Sequence, residues 1–212
     1  MVTIILMRHG ETVANTAQIY QGQGNSPLSK IGIKQAKTAS KSLEHVKIDE
    51  IYSSDLSRSF ETARIIAKPH KIKVRKISEL RERFYGKWEG LKFDVIEKKY
   101  RDLYKKWMVS PNKARIPDAE SLKKLQKRGV AAINKIAKTK TGKKILIVGH
   151  GGINRTILFY FIGLDLNNFW KIKQDNCCIN IIEPGSQGHK ITLLNGSCIP
   201  SSFRHKKKNI LA

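Results

Sequence analysis

Short apolar runs alternate with longer amphipathic stretches along this chain, as they do in α/β folds. Apolar runs predict strands at 3–7, 49–53, 72–76, 145–149, 178–183 and 190–194. Helical spacing predicts helices over 30–44, 57–68, 93–107, 121–139 and 152–162. About seventy residues separate the third and fourth strands, holding two helices and a linker around Ser110-Pro111 to Pro117. That excursion is too small for a domain of its own. It reads as a helical lid over the sheet edge, spanning about 88–140, where α/β enzymes usually place specificity. Residues 1–200 are expected to form one α/β domain, followed by a basic tail over 201–212.

Two apolar runs end alike. Ile4-Ile5-Leu6-Met7 is followed by Arg8-His9-Gly10-Glu11-Thr12, and Ile145 to Val148 by Gly149-His150-Gly151-Gly152. Each run reads as a buried strand delivering a histidine, and a glycine that lets a ligand come close, to the carboxyl edge of the sheet. Ligands bind at that edge in open α/β sheets. After the second strand, Ser53 to Ala63 form a serine-rich turn opening a helix, with Arg58 in its first turn. A helix N-terminus and an arginine together suit an anion. After the third strand, Leu80-Arg81-Glu82-Arg83 brings a carboxylate between two arginines to the same level.

One edge thus gathers Arg8, His9, Arg58, Glu82 and His150, an inventory suited to phosphoryl transfer without a metal. Arg8, Arg58 and a protonated His150 supply positive donors for phosphoryl oxygens. A neutral imidazole supplies a nucleophile, and a carboxyl group supplies the acid for the leaving oxygen. Arg58 has the ordinary alternative of pairing with Glu61 along its own helix, and Glu79 and Glu89 compete with Glu82. Glu11 reads as structural, and His45, His70, His189 and His205 as solvated.

Composition narrows the classes. The chain of 212 residues carries a net charge of +24, concentrated beyond residue 60. Such a surface attracts anions but identifies none of them, and solvated lysines on helix faces explain most of it. Cys177, Cys178 and Cys198 are too few for a disulfide framework and read as reduced thiols; the first two fall in a predicted strand, where neighbours face opposite ways. No metal-ligand spacing occurs, no apolar run is long enough to span a membrane, and a chain that runs from Met1 directly into the first strand is expected to carry no signal peptide. Lys140 to Lys144 echo a nucleotide-binding loop with the wrong spacing. The expectation is a cytoplasmic protein with no cofactor and no metal, for which a homodimer is compatible.

Taken together, Arg8-His9-Gly10-Glu11-Thr12, Ser53 to Ala63, Leu80-Arg81-Glu82 with Gly86 and Trp88-Glu89-Gly90, and Gly149-His150-Gly151 resemble the histidine phosphatase superfamily, in its phosphoglycerate mutase-like branch. The similarity runs from Thr3 to about Leu194. It implies a three-layer sandwich around a mostly parallel sheet. It also implies that His9 is the nucleophile and Glu82 the acid and then base, with Arg8, Arg58 and His150 clamping the phosphoryl oxygens. Asn15, Gln21, Gly22 and Gly151 match further positions that contact phosphate or substrate. Two departures stand out: Pro117-Asp118-Ala119-Glu120-Ser121 replaces a Pro-Gly-Gly-Glu-Ser loop, and Asn25-Ser26 stand where aspartate is common.

The leading expectation is a metal-independent phosphomonoesterase acting on a small phosphorylated metabolite. Only 67 residues separate Glu82 from His150, whereas mutases insert a longer segment that seals the site. A mutase dependent on 2,3-bisphosphoglycerate is the alternative. A non-catalytic anion or nucleic-acid binder is a third reading, disfavoured because such a binder has no need of Glu82. Activity on poor leaving groups is expected to fall in alkali, with activated aryl esters less sensitive.

Overall fold

The computed structural model describes residues 2–138, 140–185, 188–200 and 203; apart from Phe203, the basic tail expected over 201–212 lies outside them. Six strands form one sheet: β1 (Thr3–Arg8), β2 (Glu50–Ser53), β3 (Val74–Lys76), β4 (Lys144–Gly149), β5 (Ile179–Gly185) and β6 (Gly188–Gly196). Their order is β3-β2-β4-β1-β5-β6. The first four run parallel, while β5 is antiparallel to β1 and β6 to β5. The mostly parallel sheet is therefore borne out. Because β1 and β4 are covered on both faces, their interiors are apolar throughout and fully buried.

The described residues form seven α-helices: α1 (Val13–Thr16), α2 (Lys30–Leu43), α3 (Ser57–His70), α4 (Phe93–Lys99), α5 (Arg101–Val109), α6 (Leu122–Ala137) and α7 (Gly151–Ile162). Alternate strand positions sort them into layers. Ile5, Met7, Leu146 and Val148 pack with Ala36 and Leu43 of α2 and Ala63 and Ile66 of α3. Ile4, Leu6, Ile145 and Ile147 pack on the other face with Leu125 and Ile133 of α6 and Ile153 and Ile157 of α7. This is the expected three-layer sandwich.

Three details differ from the sequence reading. The helix expected over 93–107 is two helices, because Tyr100 leaves helical geometry (φ −124°, ψ 39°). Its ring lies 6.0 Å from Trp88, so a tertiary contact overrides a continuous helical pattern. β3 begins at Val74 rather than residue 72, since β2 offers it only Ile51, Tyr52 and Ser53 as partners. Cys177 and Cys178 precede β5, and the positive φ of Cys177 (57°) lets both be buried. All three cysteines are unpaired. Among the described residues, no helix is long and apolar enough to cross a membrane.

At the far end of the sheet from the histidines, Glu50 opens β2 in a nest of cations. Its carboxylate meets Lys140 Nζ at 2.7 Å, Lys143 Nζ at 3.1 Å and Arg75 Nη1 at 3.1 Å, and accepts the Tyr52 hydroxyl at 2.6 Å. The Lys140 hydrogen bond, then that of Tyr52, holds the carboxyl down to about 2, from an ordinary 4.5. A depressed carboxylate stabilises the fold above the unfolded value and loses that contribution as pH falls toward the folded one. Glu50→Gln is expected to cost about 1–3 kcal/mol at pH 7. The gap between variant and wild type in urea unfolding should narrow steadily from pH 5 to pH 3; a constant gap would refute the ionic account.

Candidate active site

The site follows from strand register. Arg8 pairs with Gly149 as the last residues of neighbouring parallel strands, so His9 and His150 leave the sheet at the same level. The chain then diverges, to α2 on one face after β1 and to α7 on the other after β4. Adjacent strands whose helices leave to opposite faces open a crevice at their carboxyl ends. The two imidazoles face each other there, ring centroids 5.1 Å apart.

His9 is buried, with Nδ1 2.6 Å from the Gly10 carbonyl oxygen. A carbonyl only accepts, so Nδ1 carries the proton and Nε2 keeps its lone pair. Burial first, then the Arg58 and Arg8 charges, pull its pKa well below 6.5. The same causes act on His150, with His9 itself among them. Without an anion, the neighbouring guanidinium groups of Arg58 and Arg8 disfavour a charge on His150, so the protonated form expected from sequence is not favoured. Neither ring nitrogen of His150 has a hydrogen-bond partner.

Both arginines are held by backbone carbonyls. Arg8 Nη1 donates to Gln174 O at 2.7 Å; Arg58 donates from Nη1 to Gly24 O and from Nη2 to Gly22 O, each at 2.7 Å. Glu61 pairs instead with Arg64, which removes the local ion-pair alternative for Arg58. The Nε atoms of Arg8 and Arg58 are buried without partners. The Nε atoms of two guanidinium groups and one imidazole are thus without partners around His9, an arrangement of donors complementary to an oxyanion.

Glu82 caps α7. One carboxylate oxygen accepts Gly152 N–H at 2.8 Å, and the other accepts Ile153 N–H at 3.1 Å and Arg83 N–H at 2.8 Å. A side chain on Gly152 would lie 2.5 Å from Glu82 Oε1, so the second glycine after His150 makes room for the carboxylate. Arg128 fixes the loop behind it, donating to the carbonyls of Glu79, Arg81 and Glu82 while forking onto Glu120. Of the competing carboxylates, Glu79 is exposed, and Glu89 accepts Gln23 and Tyr85 N–H groups to brace the loop around Gly22. Gly10 has a different purpose from the one expected. Its missing Cβ would meet the Gly32 carbonyl at 2.6 Å, so it admits the backbone of α2 rather than a ligand. His70 also departs from expectation: it is half-buried, and Nε2 lacks a partner.

These residues open into a cavity of about 310 Å³ lined by Arg8, His9, Asn15, Gln21, Gly22, Arg58, Glu82 and Gly151. His150 lies beneath, fully buried. Asn15 and Gln21 are tied to Thr12, whose hydroxyl lies 3.0 Å from the side-chain oxygen of each. Gly22 takes a left-handed φ of 52° beside Glu89. Tyr20, Tyr85, Phe93, Tyr104, Met108 and Trp170 form an aromatic and apolar wall. The predicted lid is thus only partly a lid: α4 and α5 reach the cavity, while α6 packs against α7 as part of a layer. Sequence reasoning missed Arg155, which also lines the cavity. It stands four residues after Gly151, on the same helix face, and that spacing was the available signal. Gln174 and Arg128 carried no such signal. A larger cleft, about 1120 Å³, lies between α2 and α3 and contains none of these residues.

Comparison with known proteins agrees with this geometry. The sequence model of the histidine phosphatase superfamily (branch 1) matches residues 4–197. Phosphoserine phosphatase 1 of Hydrogenobacter thermophilus is 31% identical over 203 residues, covering 96% of both chains. A probable phosphoglycerate mutase, GpmB, of Yersinia pestis is 33% identical over 183 residues, covering 86% of this chain and 85% of the relative. The solved structure of Bacillus stearothermophilus YhfR superposes with a TM-score of 0.88 at 28% identity, covering 92% of this chain and 98% of that one.

Two outcomes follow from the site. Since its pKa is lowered, His9 stays neutral as pH falls from 7 to 6, where an ordinary histidine would lose roughly two thirds of its neutral form. The kcat/KM for p-nitrophenyl phosphate should therefore change less than about twofold over that interval; a loss of about threefold or more would contradict the buried, cation-flanked imidazole. Gly152→Ala should displace Glu82 and lower kcat on alkyl phosphates about 100-fold, with a smaller loss on p-nitrophenyl phosphate.

Proposed function

The chain belongs to the histidine phosphatase superfamily, branch 1, and from that premise we propose that it hydrolyses small phosphomonoesters through a phosphohistidine on His9. The observation that carries this reading is the set of buried, unpartnered nitrogens of Arg8, Arg58 and His150 around an imidazole whose Nε2 is free. A phosphate dianion satisfies those donors and reverses the local charge, so His150 takes up a proton as the ligand binds. His9 Nε2 then attacks phosphorus in line while the P–O bond to the alcohol breaks. Glu82 gives its proton to the departing oxygen. In the second half, Glu82 removes a proton from water, the water oxygen attacks phosphorus, the P–N bond breaks and inorganic phosphate leaves. Asn15, Gln21, Gly22 and the Gly151 N–H complete the cradle for phosphate and substrate.

Phosphoserine phosphatases among the relatives support hydrolysis, and the compact stretch between Glu82 and His150 supports it over transfer back to substrate. The GpmB relative keeps a mutase as the alternative. Three unpaired cysteines are consistent with a reducing, cytoplasmic setting.

His9→Ala is expected to reduce phosphate release by at least about 10⁴-fold. Wild-type enzyme quenched during turnover of labelled substrate should carry an acid-labile, base-stable label. Persistent turnover in His9→Ala would reject the chemistry. With 3-phosphoglycerate as substrate, free phosphate should form faster than 2-phosphoglycerate; the reverse order would make the protein a mutase.

A further inference from the structure

Arg155 is not needed to hold the phosphate, and it is built to hold something. Its Nε donates to Ile172 O at 2.7 Å, and its guanidinium plane lies 5.1 Å from the ring centres of both Phe169 and Trp170. The side chain is thereby fixed in orientation. Its Nη atoms make no hydrogen bond to any described residue, and no carboxylate of the described residues lies within ion-pair distance. Yet it borders the same cavity as His9.

A charge count shows what is missing. Arg8, Arg58 and Arg155 are the arginines lining the cavity, and Glu82 is its only carboxylate among the described residues. A bound phosphate dianion has Arg8, Arg58 and the His150 that it protonates as its partners. Glu82 must hold a proton to act as the acid, so it cannot also neutralise Arg155. The positive charge of Arg155 is left unopposed, in a site whose other wall is aromatic and poorly solvating. A half-buried guanidinium in that position is satisfied by an anion brought in with the substrate.

Helix geometry sets where that anion sits. Arg155 lies one turn beyond Gly151 on α7, so the two positions are about 6 Å apart along the axis. Gly151 marks the phosphate end, where a Cβ would touch Arg8 Nε at 3.4 Å. A phosphate and a second anionic group a few carbons apart span that distance. The exposed fork of a stacked guanidinium fits a planar carboxylate with two parallel hydrogen bonds.

We propose that Arg155 is a specificity-determining residue that binds a carboxylate of the substrate, making the preferred substrates short phosphorylated hydroxy or amino acids. This rests on the phosphomonoesterase reading above and extends it to the part of the substrate that is not transferred.

The test compares esters that differ only by the carboxylate: O-phosphoserine with phosphoethanolamine, and 3-phosphoglycerate with glycerol 3-phosphate. In the wild-type chain, kcat/KM should favour the carboxylate member of each pair by about tenfold or more. Arg155→Met should bring both ratios to within about threefold of unity, and Arg155→Lys should restore part of the preference. Where the methionine variant does not fold, as judged by thermal melting, Arg155→Gln replaces it, since it keeps a donor toward Ile172. Wild-type ratios near unity would overturn the proposal. So would a loss in Arg155→Met that falls equally on both members of each pair, since that is the signature of a clamp on Phe169 and Trp170 alone. A chain that releases phosphate from neither member fails the hydrolase reading instead, so the two failures are distinguishable.

Discussion

Arg58, buried, and Arg8, half-buried, take carbonyl oxygens for hydrogen-bond partners instead of carboxylates, and the rest of the site answers to that charge. Burial lowers the pKa of both guanidinium groups, with Arg58 brought to about 10, which still leaves them charged at neutral pH. Peptide dipoles at Gln174, Gly22 and Gly24 offset part of the cost of desolvation. Two histidines in the same pocket are then obliged to remain neutral. In the reading proposed above, one of them is thereby suited to act as a nucleophile, and the other to charge when an anion arrives. Binding, nucleophilicity and general electrostatics are consequences of one arrangement.

The fold was legible where local pattern and tertiary structure agree. Fully apolar runs in β1 and β4 announced strands buried on both faces, and the Arg8-His9 and Gly149-His150 endings announced the edge that matters. Tyr100 shows the limit: its neighbours continue a helical pattern, and only its contact with Trp88 breaks the helix. At the site, Arg58 and Glu82 were readable from their place after strands. Their partners were not, because Gly22, Gly24 and Gln174 act through their backbone carbonyls, and Arg128 reaches the backbone of Glu82 from a distant helix. The purpose of Gly10 was misread for the same reason, since a glycine in a sequence does not say which side of the chain is crowded.

The departure at Pro117 to Ser121 also has a structural meaning. Asp118 adopts the left-handed φ of 61° that a glycine would occupy freely, in a loop whose Pro117 carbonyl would lie 2.1 Å from a Cβ on Gly86. Glu120 then reaches Arg128, and Arg128 reaches the backbone of Glu82. A loop remote in sequence is thereby linked, through Arg128, to the backbone of Glu82.

The groups proposed to hold the phosphate come from the ends of β1 and β4 and the first turns of α3 and α7, whereas the aromatic wall is largely carried by residues 85–108 and Trp170. A change confined to α4 or α5 would therefore reshape the chamber around the alcohol without touching Arg8, His9, Arg58 or His150.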